Sequence, residues 1–517
     1  MGNKLYPIGI QSFEKLRNDG YLYIDKTALI YKLVKTGSYY FLSRPRRFGK
    51  SLLISTLEAY FQGKKELFDG LAIAGLEKDW VQYPILHIDL NISKYDSAQD
   101  LDDILNDYLT NWEALYGAAP SETSLALRFK GVVKRACEKT GQRVAILVDE
   151  YDKPMLQAIG NKELQEKYRN TLKPFYGVLK TMDSCIKFAL LTGVTKFGKV
   201  SVFSDLNNLD DISMWNEFIE ICGVSDNEMH EYLEEELHVF AAARGISYDE
   251  LCDELKRNYD GYHFTHNSVG MYNPFSLLSA FKRREFGSYW FETGTPTYLV
   301  TLLKKHHYDL ERMAHEETDA QVLNSIDSES TNPIPVIYQS GYLTIKEYDS
   351  EFGIYRLGFP NREVEEGFIR FLLPFYANVN KVDSPFEIQK FVREVRSGDY
   401  DSFFRRLQSF FADTPYEMVR ELELHYQNVL FIVFKLVGFY VKVEYHTARG
   451  RVDLVLQTDR FIYVMEFKLD GTAEEALRQI NEKRYAQPFE LDSRQLFKIG
   501  VNFSAETRNI EKWIVEE

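Results

Sequence analysis

Three groups of residues in this 517-residue chain have types and spacing suited to phosphate chemistry. The first is Arg44-Pro45-Arg46-Arg47-Phe48-Gly49-Lys50-Ser51, set between the apolar run Tyr39 to Ser43 and the helically spaced SLLISTLEAYF. A loop that opens a helix offers unpaired N–H groups and a partial positive charge to an anion. Gly49 lets the backbone come close, with Arg47 and Phe48 beside it in the cradle. Lys50 reaches toward β- and γ-phosphates, and the Ser51 hydroxyl can hold Mg²⁺. Arg44 stands where such loops usually open with Gly, so the motif by itself is weak.

The second group follows on the same scaffold. RVAILVDE ends in Asp149-Glu150, an acidic pair at the C-terminal end of a strand, where open α/β sheets bind ligands. Asp149 would hold Mg²⁺ through water, and Glu150 would polarise the attacking water. IKFALLTG brings Thr192 to the end of another strand, where it would sense the γ-phosphate or the water. Arg169 is a candidate to neutralise transition-state charge, although a surface charge is the commoner role for an arginine on a helix.

The third group is Asp453, Glu466 and Lys468. Metal-dependent phosphodiester cleavage uses carboxylates to hold Mg²⁺ and a lysine to orient water. Glu466 and Lys468 are two apart on a strand and share a face. With a turn at Thr458-Asp459, Asp453 falls opposite Val464 and diagonal to Glu466, about 7–8 Å away at Cα. Gly450 would let a phosphate approach, and Arg449 and Arg451 would touch its backbone. Gln479 and Lys483 lie one helical turn apart and would support the metal site. Glu421 and His425, also a turn apart, are further candidates for a metal contact. The same letters also describe a hairpin with solvated charges.

The elements that must position these groups alternate in the first half. Strand-like YYFLS, PILHIDL, RVAILVDE and IKFALLTG are separated by helical stretches, which indicates a parallel sheet covered by helices. From about Ser225 the pattern is mostly helical, with aromatic-rich NYDGYHF and GSYWFETGTPTYL and a hairpin turning near Ser350 to Gly353. The last part reads as a helix from Arg420 to Phe439, three strands, a helix AEEALRQINEKRYA, and a final strand FKIGVNF. The expected division is 1–224, 225–380 and 381–517. The fold class is α/β: a P-loop NTPase sheet, a mostly helical middle, and a C-terminal α/β sandwich.

Composition narrows the function classes. The formal charge of −15 argues against a protein that coats nucleic acid non-specifically, while local clusters such as Lys282-Arg283-Arg284 leave a basic groove open. The 34 Tyr and 36 Phe are read as core material rather than base-stacking platforms. No apolar run is long enough to span a membrane. Tyr6 breaks the myristoylation pattern begun by Met1-Gly2, and no secretory signal opens the chain. Cys137, Cys185, Cys222 and Cys252 are scattered, which fits a reducing cytoplasm. His263, His266, His306 and His307 lack partners at ligand spacing.

The stretches RPRRFGKS, LVDEYDKP, LTGVTKF, FSDLNNLDDIS, YDGYHF, YNPFSLL, FETGTPTYL and SGYLTIKEY resemble the AAA-ATPase-like family of uncharacterised bacterial proteins, over roughly residues 5–365. In that family an Arg at the position of Arg44 is usual. HTARGRVDLVLQ, YVMEFKLDG and ALRQINEKRYA resemble the PD-(D/E)XK nuclease superfamily over about residues 415–505, which implies a C-terminal α/β restriction-endonuclease-like domain. The resemblance implies an ATP-binding and ATP-hydrolysing protein with a Mg²⁺-dependent nuclease domain acting on nucleic acid, DNA ahead of RNA. A homo-oligomer is compatible with it. The other reading is a nucleotide-switched binding protein whose nuclease-like domain captures nucleic acid or a partner without cutting it.

Overall fold

In a computed structural model, which describes residues 4–196, 208–291, 297–324, 326, 332–377, 379–380, 383–412, 422–448 and 451–517, the apolar runs of the first half become parallel strands. These are β1 (Tyr39–Ser43), β2 (Ile85–Asp89), β3 (Val144–Asp149), β4 (Ile186–Gly193) and β5 (Asp210–Asp211). Their spatial order is β2-β3-β4-β1-β5, with every neighbouring pair parallel. β1 and β3 are buried along their whole length, whereas the edge strand β2 alternates. That is why YYFLS and RVAILVD carry continuous apolar runs: strands covered on both faces leave no polar side.

Helices cover the sheet: α1 (Lys50–Phe61), α2 (Ala98–Tyr116), α3 (Leu125–Thr140) and α4 (Lys162–Thr181). Their ends are written in the sequence. Ser97 and Asp100 form a capping box on α2, Ser124 caps α3, and Gly141 ends α3 in the left-handed region. Phe129 of α3 and Phe175 of α4 stack with ring centroids 4.4 Å apart. β4 lies between β1 and β3, so the ends of the strands carrying the phosphate loop, Thr192 and the acidic pair converge.

The chain divides into two compact units, residues 1–294 with 316–363, and residues 295–315 with 364–517. Most of the mostly helical middle thus belongs to the unit that carries the parallel sheet. There α5 (Asp226–Arg244), α6 (Tyr248–Tyr259) and α7 (Pro274–Arg283) share one apolar core that includes Leu233, Leu251, Leu255 and Leu277. α8 (Ile334–Gln339) precedes a small sheet. The hairpin β7 (Thr344–Asp349) to β8 (Ile354–Gly358) turns at Gly353, φ 69°, as its sequence suggests. The added strand β6 (Glu317–Asp319) is three polar residues long and left no periodic signal.

In the second unit α9 (Leu422–Gly438) leads into a five-stranded sheet of β9 (Lys442–Ala448), β10 (Arg451–Gln457), β11 (Phe461–Leu469), β12 (Gln495–Ser504) and β13 (Asn509–Glu516). The first three form an antiparallel meander. β11 and β12 are parallel and need a crossover, supplied by α10 (Ala473–Glu482). β13 closes the edge antiparallel to β12; its sequence NIEKWIVE lacks strict alternation of apolar and polar residues and does not read as a strand.

α9 is apolar around its circumference. Val429, Leu430, Phe431, Ile432, Val433 and Phe434 are all buried, as expected of a helix at the centre of a core. Among the described residues no helix is long and apolar enough to cross a membrane. His425, on the same helix, is 8% exposed. Burial pushes its pKa down to about 4, with the charge of Lys304 adding to the effect.

Two predictions arise from this packing. The unfolded chain takes up a proton at a histidine of ordinary pKa 6.5, which folded His425 refuses until about pH 4. Stability contributed here is therefore present above pH 6.5 and lost as pH falls toward 4. Thermal melts should show the wild type losing more stability than His425→Gln across that window. Separately, a Cβ at Gly500 would press on the Ala473 carbonyl and the Leu477 N–H of α10. Gly500→Ala should cost about 1–3 kcal/mol in urea unfolding.

Candidate nucleotide site and candidate nuclease centre

The phosphate loop turns on two left-handed residues, Arg47 at φ 66° and Gly49 at φ 95°. Gly49 is the N-cap of α1, so its backbone geometry directs the helix N–H groups into the loop. Lys50 is 4% exposed, and its Nζ donates to the carbonyls of Arg44 at 3.1 Å and Pro45 at 3.4 Å. The same Nζ stands 3.5 Å from the Glu150 carboxylate. Ser51 lies beside them on the first turn of α1 and faces the same cavity.

Arg44 does not point at the cavity. Its guanidinium is 1% exposed, donates to the carbonyls of Ser43 and Ser213 at 2.9 and 2.7 Å, and lies 4.0 Å over the Phe264 ring. Burial pulls its pKa down to about 10, so it stays charged at neutral pH. The Phe48 side chain is also internal, edge-on to Tyr262 at 4.8 Å and to Phe264 at 5.5 Å, which leaves its backbone as its contribution to a phosphate.

Asp149 is 4% exposed and accepts from the Thr192 hydroxyl at 2.6 Å and from the Glu150 N–H at 3.1 Å. Neighbouring strand ends thus join the acidic pair to Thr192. Glu150 is held at φ 52°, a conformation costly for a residue with a Cβ and found where function requires it. Two residues on, Asp152 accepts from the N–H groups of Val194 and Thr195 at 3.2 and 2.6 Å and from the Thr195 hydroxyl at 2.6 Å. Burial and the charge of Glu150 push the Asp152 carboxyl up to about 6. It locks the end of β4 against β3, a role sequence reasoning missed although the residue stands in the LVDEYDKP stretch.

A cavity of about 510 Å³ opens over the loop, a size that suits a small-molecule ligand. Arg46, Arg47, Lys50, Ser51, Glu150 and Lys153 supply its polar wall. Residues Pro7 to Gln11, with Pro274, Phe275 and Leu278, supply an apolar side. The N-terminal segment lies outside the quoted motifs, and Lys153 stands in the LVDEYDKP stretch with no role assigned from sequence; neither was foreseen as part of the cavity wall. Arg169 on α4, the candidate for a transition-state arginine, is not among the residues that line this cavity. A buried ammonium beside the Glu150 carboxylate at the cavity wall, with Asp149 adjacent in sequence behind it, fits Mg²⁺ with a polyphosphate by donor type.

In the second unit β10 and β11 place Asp453 directly opposite Glu466, with Arg451 opposite Lys468. The diagonal arrangement expected from a two-residue turn is corrected. The Thr458 hydroxyl accepts from the N–H groups of Arg460 and Phe461, and Thr458 N–H donates to the Phe461 carbonyl at 2.8 Å. This closes a turn two residues longer. A shift of two preserves the face of every side chain, and it brings the paired Cα atoms to about 4.5–5.5 Å.

Glu466 is fully buried on the central strand, and Lys468 Nζ donates to Gln479 Oε1 of α10 at 2.7 Å. Lys483 is exposed just past α10. His425 belongs to the α9 core. Glu421, Arg449 and Gly450, together with the side chains of Arg451 and Asp453, lie outside the described residues. Carboxylate positions paired across two strands, with a lysine two residues on, suit a divalent metal by donor type. Among the described side chains, no three His, Cys, Asp or Glu residues form a metal cluster. His263 is used structurally, its Nδ1 2.9 Å from the Ser268 carbonyl.

Two family models match the parts of the chain that carry these residues. The family described as predicted AAA-ATPase matches residues 7–203, and the PD-(D/E)XK nuclease superfamily matches residues 421–513. An uncharacterized protein in the vnfD 5′ region of Azotobacter chroococcum mcd 1 is 35% identical over 532 residues, covering 100% of this chain and 99% of that one. The structure of the Aeropyrum pernix ORC2 protein (ADPNP–ADP complexes) aligns at 11% identity over 70% of this chain and 91% of that chain; its TM-score of 0.22 is too low to support an argument. The chain belongs to the predicted AAA-ATPase family and carries a PD-(D/E)XK nuclease superfamily domain in its C-terminal part.

Proposed function

We propose that this protein binds and hydrolyses ATP over the loop Arg47 to Ser51, and cleaves phosphodiester bonds of nucleic acid, DNA ahead of RNA, at Asp453, Glu466 and Lys468. The observation that supports the first activity best is the junction of three strand ends: Lys50 beside Glu150 at 3.5 Å, and Asp149 bonded to Thr192 at 2.6 Å, at a cavity of about 510 Å³.

In this mechanism Lys50 releases its loop carbonyls and its contact with Glu150 to meet phosphate oxygens. Glu150, freed from the ammonium, takes a proton from the attacking water. Thr192 keeps Asp149 oriented and stands beside the terminal phosphate. Mg²⁺ held by Ser51 and Asp149 would supply positive charge to the phosphate oxygens. In the second unit, Asp453 and Glu466 would hold Mg²⁺, and Lys468, steadied by Gln479, would orient the water. The support there is register and donor chemistry.

Lys50→Ala should lower ATP turnover by about 10²-fold or more, measured as phosphate release. Glu150→Gln should retain ATP binding while turnover falls by a similar factor. A Lys50→Ala protein with full turnover would place hydrolysis elsewhere. For the nuclease, Mg²⁺-dependent cleavage of single- and double-stranded DNA and RNA should disappear in both Asp453→Ala and Lys468→Ala, and on chelation of the metal. Equal cutting by wild type and both variants contradicts the assignment. Nucleotide-dependent capture of nucleic acid without cleavage would favour the switch reading.

A further inference from the structure

The phosphate cavity carries more positive charge than a loop lysine accounts for. Four basic side chains line it, Arg46, Arg47, Lys50 and Lys153, against one lining carboxylate, Glu150. Lys50 rests on the loop floor, donating to the Arg44 and Pro45 carbonyls. Arg47 is committed to an aromatic face, its guanidinium 5.0 Å over the Phe275 ring.

Arg46 is not held in this way, and Lys153 is tied to the cavity rim through both the carbonyl and the side-chain oxygen of Asn91. The main chain of Arg46 is fixed from behind: its carbonyl accepts from Asn273 Nδ2 at 3.3 Å and from Trp290 Nε1 at 3.0 Å. Its side chain is exposed toward the cavity, and among the described residues no hydrogen bond or ion pair engages its guanidinium. Lys153 begins the turn that follows the acidic pair. Its N–H donates to the Glu150 carbonyl at 3.0 Å, and its Nζ donates to the Asn91 carbonyl at 2.9 Å, across from β3 at the end of β2. Burial pushes the Lys153 ammonium down, the charges of Glu150 and Asp89 oppose that shift, and the charge of Arg46 adds to it. Two cations held at one cavity rim repel each other, and an anion between them relieves the repulsion.

We infer that Arg46 and Lys153 neutralise the terminal phosphate in cis, so that one chain completes the ATP-hydrolysing site without an arginine from a second copy. The inference rests on the nucleotide reading of this cavity. As water oxygen bonds to the γ-phosphorus, the bond from that phosphorus to the β,γ-bridging oxygen breaks and its electron pair leaves with ADP. The water proton passes to Glu150. The two cations contact the non-bridging γ-oxygens and the leaving oxygen, where charge develops, which is where positive groups accelerate phosphoryl transfer.

The test measures kcat, KM and binding of a fluorescent ATP analogue for the full-length wild type, Lys50→Ala, Arg46→Ala, Lys153→Ala and Lys153→Arg, with wild-type turnover repeated over a range of protein concentrations. Expected are a wild-type specific activity independent of protein concentration and a loss in kcat of about 10²–10³-fold for each alanine variant. Nucleotide affinity should change far less than kcat, and Lys153→Arg should recover part of the loss. Turnover by Arg46→Ala and Lys153→Ala close to wild type, with Lys50→Ala inactive, overturns the inference and leaves the nucleotide site standing. Specific activity that rises steeply with protein concentration overturns it as well. A wild type that neither binds the analogue nor depends on Lys50 removes the nucleotide reading itself, and this inference with it.

Discussion

The buried charge of Arg44 is the constraint around which the first unit is organised. A guanidinium taken out of water is strongly unfavourable unless carbonyls and an aromatic face replace its hydration. Here the replacements come from Ser43, Ser213 and the Phe264 ring, far apart in sequence and all required at the end of β1. Once they are assembled, the loop beginning at Arg44 has little freedom. Phe48 fills the pocket formed with Tyr262 and Phe264, and the Phe48 carbonyl accepts from Gly223 N–H at 3.0 Å. Pro45 lies so close to Gly341 that a Cβ there would stand 2.6 Å from the proline Cβ. The residue that looked like a defect in a glycine-rich loop is a rivet that replaces the flexibility of glycine with tertiary contacts.

This gives the aromatic-rich stretches of the middle region a physical meaning. YDGYHF contributes Tyr262 and Phe264 beneath the loop. YNPFSLL contributes Asn273, which caps α7 and donates to the Arg46 carbonyl, and Phe275, which carries the Arg47 guanidinium. GSYWF contributes the Trp290 indole N–H to that same Arg46 carbonyl. These stretches scaffold the phosphate loop from behind. A boundary drawn from composition near residue 224 has no access to this, because it depends on contacts more than two hundred residues apart, such as Arg46 with Trp290.

Much of the site was legible because its chemistry is tied to local pattern. A buried strand followed by a helix fixes Gly49, Lys50 and Ser51, and an apolar strand ending in carboxylates fixes Asp149 and Glu150. The unreadable parts lack such a local signature. Asp152 acts by receiving N–H groups from β4, Lys153 by proximity to Asn91, and the segment Pro7 to Gln11 by lying over the cavity. In the second unit the register differs from the one expected: Thr458 uses its hydroxyl to close a longer turn, and the side-chain period of two keeps Asp453 and Glu466 on one face despite the slip. The last strand escaped notice because its apolar residues, Ile510 and then Trp513 to Val515, do not alternate with polar ones.

The account makes the loop a rigid cradle whose basic rim awaits a polyphosphate, and a crystal structure of the full chain with Mg²⁺ and a non-hydrolysable ATP analogue tests that most directly. It should show the β-phosphate over the N–H groups of Gly49 and Lys50, the γ-phosphate between Arg46 and Lys153, and Arg44 and Phe48 unmoved in their pocket. Phosphates bound away from this loop, or a loop that releases Arg44 and Phe48 to admit the nucleotide, would contradict it.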